Sequence, residues 1–183
     1  MAVSPKVCDF GWVAPSFELP STKGKDLNLD QIKGPNGTLI MFICNHCPYV
    51  TSAIDRIIFD AKELMDLGIG VAAICSNDAK TYPEDSFERM IEFARVNNFP
   101  FPYLHDEDQK IARTYNAECT PDFFGFNGNL QLQYRGRLDS TGRMGSLSQP
   151  RTRDLYNAMQ GIAKTGSGPA DQIPSMGCSI KWK

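Results

Sequence analysis

Cys44 and Cys47, with Asn45 and His46 between them and Pro48 and Tyr49 after them, are the residues whose types and spacing can do chemistry. Two cysteines separated by two residues close a small disulfide at modest strain. One sulfur can therefore attack a disulfide, and the other can resolve the mixed disulfide that forms. The attacking species is a thiolate. His46, placed to reach both sulfurs, would stabilise that thiolate when protonated and would lose the influence above its own pKa. Such a cycle needs no metal and no organic cofactor. The pair has two other uses. It can be half of a zinc site, but zinc wants four ligands, and the sequence holds no second C-x-x-C and only His46 and His105 as imidazoles. It can also be a pair of inert thiols packed as small hydrophobes, which its placement argues against.

That placement follows from the flanking segments. Thr38-Leu39-Ile40-Met41-Phe42-Ile43 is short, apolar and partly β-branched or aromatic, the pattern of a buried strand. Ile54, Ile57, Ile58, Ala61, Leu64, Met65 and Leu67 then recur at helical spacing among charged residues, which predicts an amphipathic helix over about 48–67. The dithiol thus sits where a strand hands over to a helix, beside unpaired amides that favour a thiolate. Pro48 disfavours helical geometry at Cys47 and leaves open which cysteine receives the helix end.

Further along, Ile69–Cys75 is a second apolar run, and Tyr82-Pro83-Glu84-Asp85 has the composition of a helix start before Phe87, Met90, Ile91, Ala94 and Val96. An extended piece over 100–104, a short helix over 106–115 and a strand at Phe123-Phe124-Gly125-Phe126 follow. Asn127-Gly128-Asn129 signals a hairpin whose returning strand carries Leu130, Leu132 and Tyr134, and a last helix is expected over 152–164. The expected architecture is α/β, a central mixed sheet flanked by helices. Residues 1–165 would form one domain, with a tail of 166–183 beyond the flexible-linker composition Gly166-Ser167-Gly168-Pro169. With 19 basic against 21 acidic side chains the net charge is −2, and no basic stripe points to nucleic acid. No segment has the length to span a bilayer, and 1–11 lacks a signal-length apolar run, so a cytoplasmic protein with mostly reduced cysteines is expected.

The Cys44-Asn45-His46-Cys47 centre resembles that of the thioredoxin family, and Thr120-Pro121 ahead of the hairpin resembles its cis-proline loop. The stretches Phe42–Val50, Thr120–Phe124, Tyr134–Asp139 and Gly177–Lys183 are similar to bacterial thioredoxin-family proteins grouped with the alkyl hydroperoxide reductase and thiol-specific antioxidant (redoxin) superfamily. The resemblance implies a thioredoxin-like fold with a strand-helix unit inserted between the C-x-x-C helix and the cis-proline loop. It also implies that Thr120 and Pro121 bind substrate, with main-chain groups of Thr120 pairing to a peptide. Cys44 is implied as nucleophile and Cys47 as resolver.

Some family features are absent. The peroxiredoxin positions for Pro and Thr, seven and three residues before the reactive cysteine, hold Ile40 and Cys44 before Cys47, and Gly37 and Met41 before Cys44. The buried Asp of thioredoxin is replaced by Thr38, leaving Glu118 and Asp122 as substitute proton acceptors if they are not simply surface carboxylates. Cys119 and Cys178 are possible auxiliary thiols, Cys75 a core residue. Arg135, Arg137 and Asp139 are expected on a solvated edge. The leading function is thiol-disulfide exchange with protein or small-molecule disulfides, recharged by a thioredoxin or glutathione system. The alternatives are a thiol peroxidase acting on hydroperoxides and a copper or zinc carrier using Cys44, Cys47 and His46.

Overall fold

The computed structural model describes residues 2–5 and 8–183. In chain order it runs through β1 (Ala2–Val3), β2 (Glu18–Pro20), β3 (Asp26–Asn28), α1 (Leu29–Ile32), β4 (Gly37–Phe42), α2 (Pro48–Thr51), α3 (Ile54–Asp66) and β5 (Ile69–Cys75). It continues with α4 (Phe87–Val96), β6 (Tyr103–His105), α5 (Lys110–Thr114), β7 (Cys119–Thr120), β8 (Asp122–Phe126), β9 (Leu132–Tyr134), α6 (Asp154–Thr165) and β10 (Gly177–Ser179).

β4 is buried along its whole length because it is central in a five-stranded sheet of order β6-β5-β4-β8-β9. Its pairing with β5 is parallel and with β8 antiparallel, so the sheet is mixed. Covered on both faces, such a strand reads as a continuous apolar run. Alternation along β4 splits the core. Leu39, Met41 and Ile43 meet Ile57, Ala61 and Leu64 of α3 and Leu155, Met159 and Ile162 of α6. Ile40 and Phe42 meet Phe17, Leu19, Leu29, Ile32 and Tyr115 on the other face. Each large aliphatic or aromatic side chain so buried contributes about 1.5–3 kcal/mol. β5 and α4 form the strand-helix unit that intervenes between α3 and β7.

Three local expectations are corrected. The helix expected over 48–67 is two helices: the Ala53 N–H bonds the Val50 carbonyl three residues back, and this tighter turn ends α2 before α3 begins. The helix expected to start at Tyr82-Pro83-Glu84-Asp85 starts later, because Pro83–Asp85 is a 3-10 turn and Ser86, whose Oγ accepts the Arg89 N–H at 3.4 Å, is the N-cap of α4. Leu130 lies at φ 58 in the hairpin turn, so the returning strand begins at Leu132.

The solvated edge expected at Arg135, Arg137 and Asp139 is overturned for two of the three. Arg135 is buried and pairs with buried Asp122 at 3.0 Å. Asp139 is buried and accepts Arg56 Nη1 at 2.7 Å, with Arg151 also against it. Arg137 remains partly exposed, donating to Asp154 at 3.0 Å. Buried charge is tolerated where it is paired and hydrogen-bonded, and residue type alone does not reveal that pairing.

Residues 166–183 pack against the rest of the chain. Gly166 ends α6 in the left-handed conformation at φ 78, and the Gly168 N–H donates to Gln133 Oε1 at 3.2 Å. β10 lies between β1 and β7 in a small antiparallel sheet. Beyond it, the Ile180 N–H bonds the Glu118 carbonyl, the Lys181 N–H bonds Asn77 Oδ1, and Arg113 stacks over Trp182 at 4.4 Å. No helix among the described residues is long and apolar enough to cross a membrane.

Candidate active site

Cys44 lies just past β4, where the Ile43 N–H still bonds the Ile74 carbonyl at 3.0 Å. Cys47 is the N-cap of α2, at φ −66 and ψ 123, the extended conformation that a following proline imposes. Facing both is the end of β7, where the Thr120–Pro121 peptide is cis. Cys44 Sγ lies 3.3 Å from Thr120 Oγ1, and Cys47 Sγ, as a thiol, donates to the Thr120 carbonyl at 3.2 Å. Neither sulfur meets solvent: Cys44 is 1% exposed and Cys47 0%.

The two sulfurs divide one proton unequally. The Cys44 thiol hydrogen-bonds the Cys47 sulfur, and with donors from Cys178 and Thr120 this outweighs burial and brings Cys47 down to about 4. Cys44 is pushed well above the usual thiol range by that same hydrogen bond, then by burial and by the charge of Asp85. The balance between them favours the thiolate at Cys47 and the thiol at Cys44. α2, which Cys47 caps, is a single turn.

Asp85, from the turn before α4, takes the place of the missing buried acid. It is fully buried; Oδ1 accepts the Asn45 N–H at 2.8 Å, and Oδ2 accepts Asn77 Nδ2 at 2.7 Å. His46 Nδ1 lies 2.7 Å from Asp85 Oδ2, and the ring stacks on Tyr82 at 5.5 Å and 3°. A donor atom of each of Cys44, His46 and Asp85 lies within 4.8 Å of the others. They are suitable metal donors, one short of the four that zinc takes. In the sequence Asp85 looks like an acid in a helix's first turn. Ser86 is the better N-cap, and choosing it would have placed Asp85 outside the helix and free to turn inward.

Of the two candidate acceptors Glu118 and Asp122, Asp122 is committed to Arg135, with burial pushing its carboxyl up against that charge. Cys119 alternates away from the dithiol on β7, with Sγ 3.8 Å from Ser175 Oγ, and burial pushes it up. Cys75 is fully buried and pushed up to about 12 by desolvation. Cys8 is half-buried and pushed up to about 11 by the same cause. Cys178, in contrast, stands directly opposite Thr120 in the β7–β10 pairing and packs against the core that holds Cys44 and Cys47. A cleft of about 450 Å³ opens beside Pro121, lined also by Tyr49, Leu138, Arg143 and Met176. Another, of about 560 Å³, opens beside His46, with Glu84 and Arg89 in its wall.

Residues 10–137 match the model of the AhpC/TSA family. A solved structure from Geobacillus kaustophilus is 41% identical, covering 100% of this chain and 97% of its own, with a TM-score of 0.92. A Coxiella burnetii protein named for the peroxiredoxin bcp is 26% identical over 64% of this chain and 72% of its own length. The thioredoxin domain of a thiol-disulfide oxidoreductase from Bacteroides vulgatus shares the fold, with a TM-score of 0.63 at 14% identity, covering 84% of this chain and 97% of that one. The fold is thioredoxin-like.

Proposed function

The chain belongs to the AhpC/TSA family, and on that premise we propose that it is a thiol-disulfide oxidoreductase in which Cys47 attacks and Cys44 resolves. The observation that carries this is that both sulfurs rest on Thr120 at the cis peptide, Cys44 Sγ 3.3 Å from Thr120 Oγ1 and Cys47 Sγ 3.2 Å from the Thr120 carbonyl, and the lowering of Cys47 beside a raised Cys44 agrees with it. The Cys47 thiolate attacks one sulfur of a substrate disulfide; a Cys47–substrate bond forms, and the other substrate sulfur leaves as a thiolate and takes a proton from solvent. Bonding at Cys47 removes the main cause that holds Cys44 protonated. Cys44 then passes its proton to His46, seated over Asp85, and attacks Cys47. A Cys44–Cys47 disulfide forms, and the remaining substrate sulfur departs. A small thiol or a reduced thioredoxin-type protein reverses the sequence and restores the dithiol. Pro121 and the cleft beside it offer an apolar surface to the substrate.

Peroxide as the substrate has less support. Cys44 and Cys47 lack the preceding Pro and Thr, and among the described residues the hydrogen bonds of Arg56 and Arg135 go to Asp139 and Asp122 rather than to either sulfur. The test is to trap the intermediate. A Cys44→Ser variant that also carries Cys178→Ser, so that no neighbouring thiol can discharge the adduct, is expected to accumulate a mixed disulfide through Cys47 when incubated with a disulfide-bonded protein, while a Cys47→Ser variant accumulates none. Trapping through Cys44 in Cys47→Ser, with none in Cys44→Ser, would restore the opposite roles.

A further inference from the structure

Both sulfurs that must meet a substrate disulfide are sealed from solvent, and β10 packs against α2 and β7 beside them. In the antiparallel ladder Cys178 stands directly opposite Thr120. Residues directly opposite in such a ladder project to the same face. Thr120 Oγ1 reaches Cys44 on that face, so Cys178 is carried to the dithiol as well, packed against the core that holds Cys44 and Cys47. β10 thus occupies the main-chain edge of Thr120 that an extended peptide would use, and it presents a cysteine there. Gly177 makes the fit possible, because a Cβ at that position would collide with the Thr120 carbonyl. Cys178 itself is half-buried, so it connects the sealed pair to the surface.

We propose that Cys178 is a third redox thiol, which exchanges disulfide bonds with Cys47 and relays oxidising equivalents between the buried pair and substrate outside. This rests on the dithiol function proposed above. In the relay step the Cys178 thiol gives its proton to solvent, and the thiolate attacks Cys47 Sγ of the Cys44–Cys47 disulfide. The Cys47–Cys178 bond forms, the Cys44–Cys47 bond breaks, and Cys44 leaves with the electron pair and takes up a proton. Oxidation state is conserved, so no further oxidant enters. An outside thiol then attacks Cys178, the exposed member of the new disulfide, and Cys47 is released as the thiolate already favoured at that position. Burial first, and then the Cys47 sulfur, hold Cys178 protonated, at about 11, while the pair is reduced. Once Cys47 is tied into a disulfide the second of these causes is gone.

The experiment uses full-length reduced protein, treated with one equivalent of oxidised glutathione, quenched with acid and maleimide, digested without reductant and mapped by mass. The expected result is a Cys47–Cys178 linked peptide beside the Cys44–Cys47 loop in the wild type. In Cys44→Ser the Cys47–Cys178 peptide is expected to dominate, with maleimide labelling of Cys178 lost. If the Cys44–Cys47 loop forms in the wild type while Cys178 stays labelled both there and in Cys44→Ser, the relay is wrong and the dithiol reading stands. If neither disulfide forms and Cys47 only carries glutathione, both fall.

Discussion

Asp85 and His46 come from separate elements, one from the turn before α4 and the other from the loop after β4, yet their polar atoms lie 2.7 Å apart beside Cys44. The inserted unit between α3 and β7 therefore does more than widen the sheet. It delivers a buried carboxylate beside Cys44, in a chain whose β4 has Thr38 and no acid.

Replacing Asp85 by Asn keeps the size and removes the charge that, after the Cys47 hydrogen bond and burial, holds Cys44 protonated. The Cys44 titration, followed by alkylation against pH in a Cys47→Ser background, is expected to move down. Resolution of the mixed disulfide is expected to slow, because His46 loses its anionic seat. An unchanged Cys44 titration would separate Asp85 from the chemistry.

Cys47 sets a pH dependence with a definite sign. Its folded value of about 4 lies below the usual thiol value of 9.0, so between those limits the unfolded chain binds the extra proton and stability of the reduced protein rises with pH. That contribution is fully present above the usual value and is lost as pH falls through about 4. Cys44 acts oppositely: it is held protonated in the fold, so above the usual value stability falls again. Urea unfolding of the reduced protein across this range, compared with Cys47→Ser, should show the rise in the wild type and a flattened profile in the variant.

Gly177→Val is expected to expel β10 from its place against Thr120, since even a Cβ collides with the carbonyl there. Alkylation of Cys44 and Cys47 by iodoacetamide should then accelerate with the fold retained by circular dichroism. Equal labelling rates in variant and wild type would mean that β10 is not the cover.

Asp139→Ala leaves the buried Arg56 guanidinium without its main partner. Removing one member of a buried pair costs about 3–5 kcal/mol, readable as a lower urea midpoint. The Cys47 titration should stay where it was, because neither residue hydrogen-bonds a sulfur.

The sequence showed the fold where burial is continuous. β4 and β5 stand out because strands covered on both faces are apolar throughout, and Cys44 and Cys47 stand out because their spacing is itself the chemistry. It misled where a single residue's direction decides the outcome. Asp85 sits beside a plausible helix start, so an inward carboxylate looked like an N-terminal acid. Arg135 and Asp139 looked exposed because pairing across separate segments leaves no local pattern. The lowering of Cys47 depends on Cys44 first and then on Cys178 and Thr120, which only the folded chain brings together.

The central claim is that this dithiol exchanges disulfides, and it is tested most directly by comparing two rates. Fully reduced protein is offered a disulfide-bonded model protein and, separately, hydrogen peroxide under the same conditions. The account predicts that the disulfide is reduced faster, that turnover is lost in Cys47→Ser, and that peroxide is consumed slowly. Fast peroxide consumption with sluggish disulfide reduction would contradict it and make the Cys47 thiolate a peroxidatic sulfur.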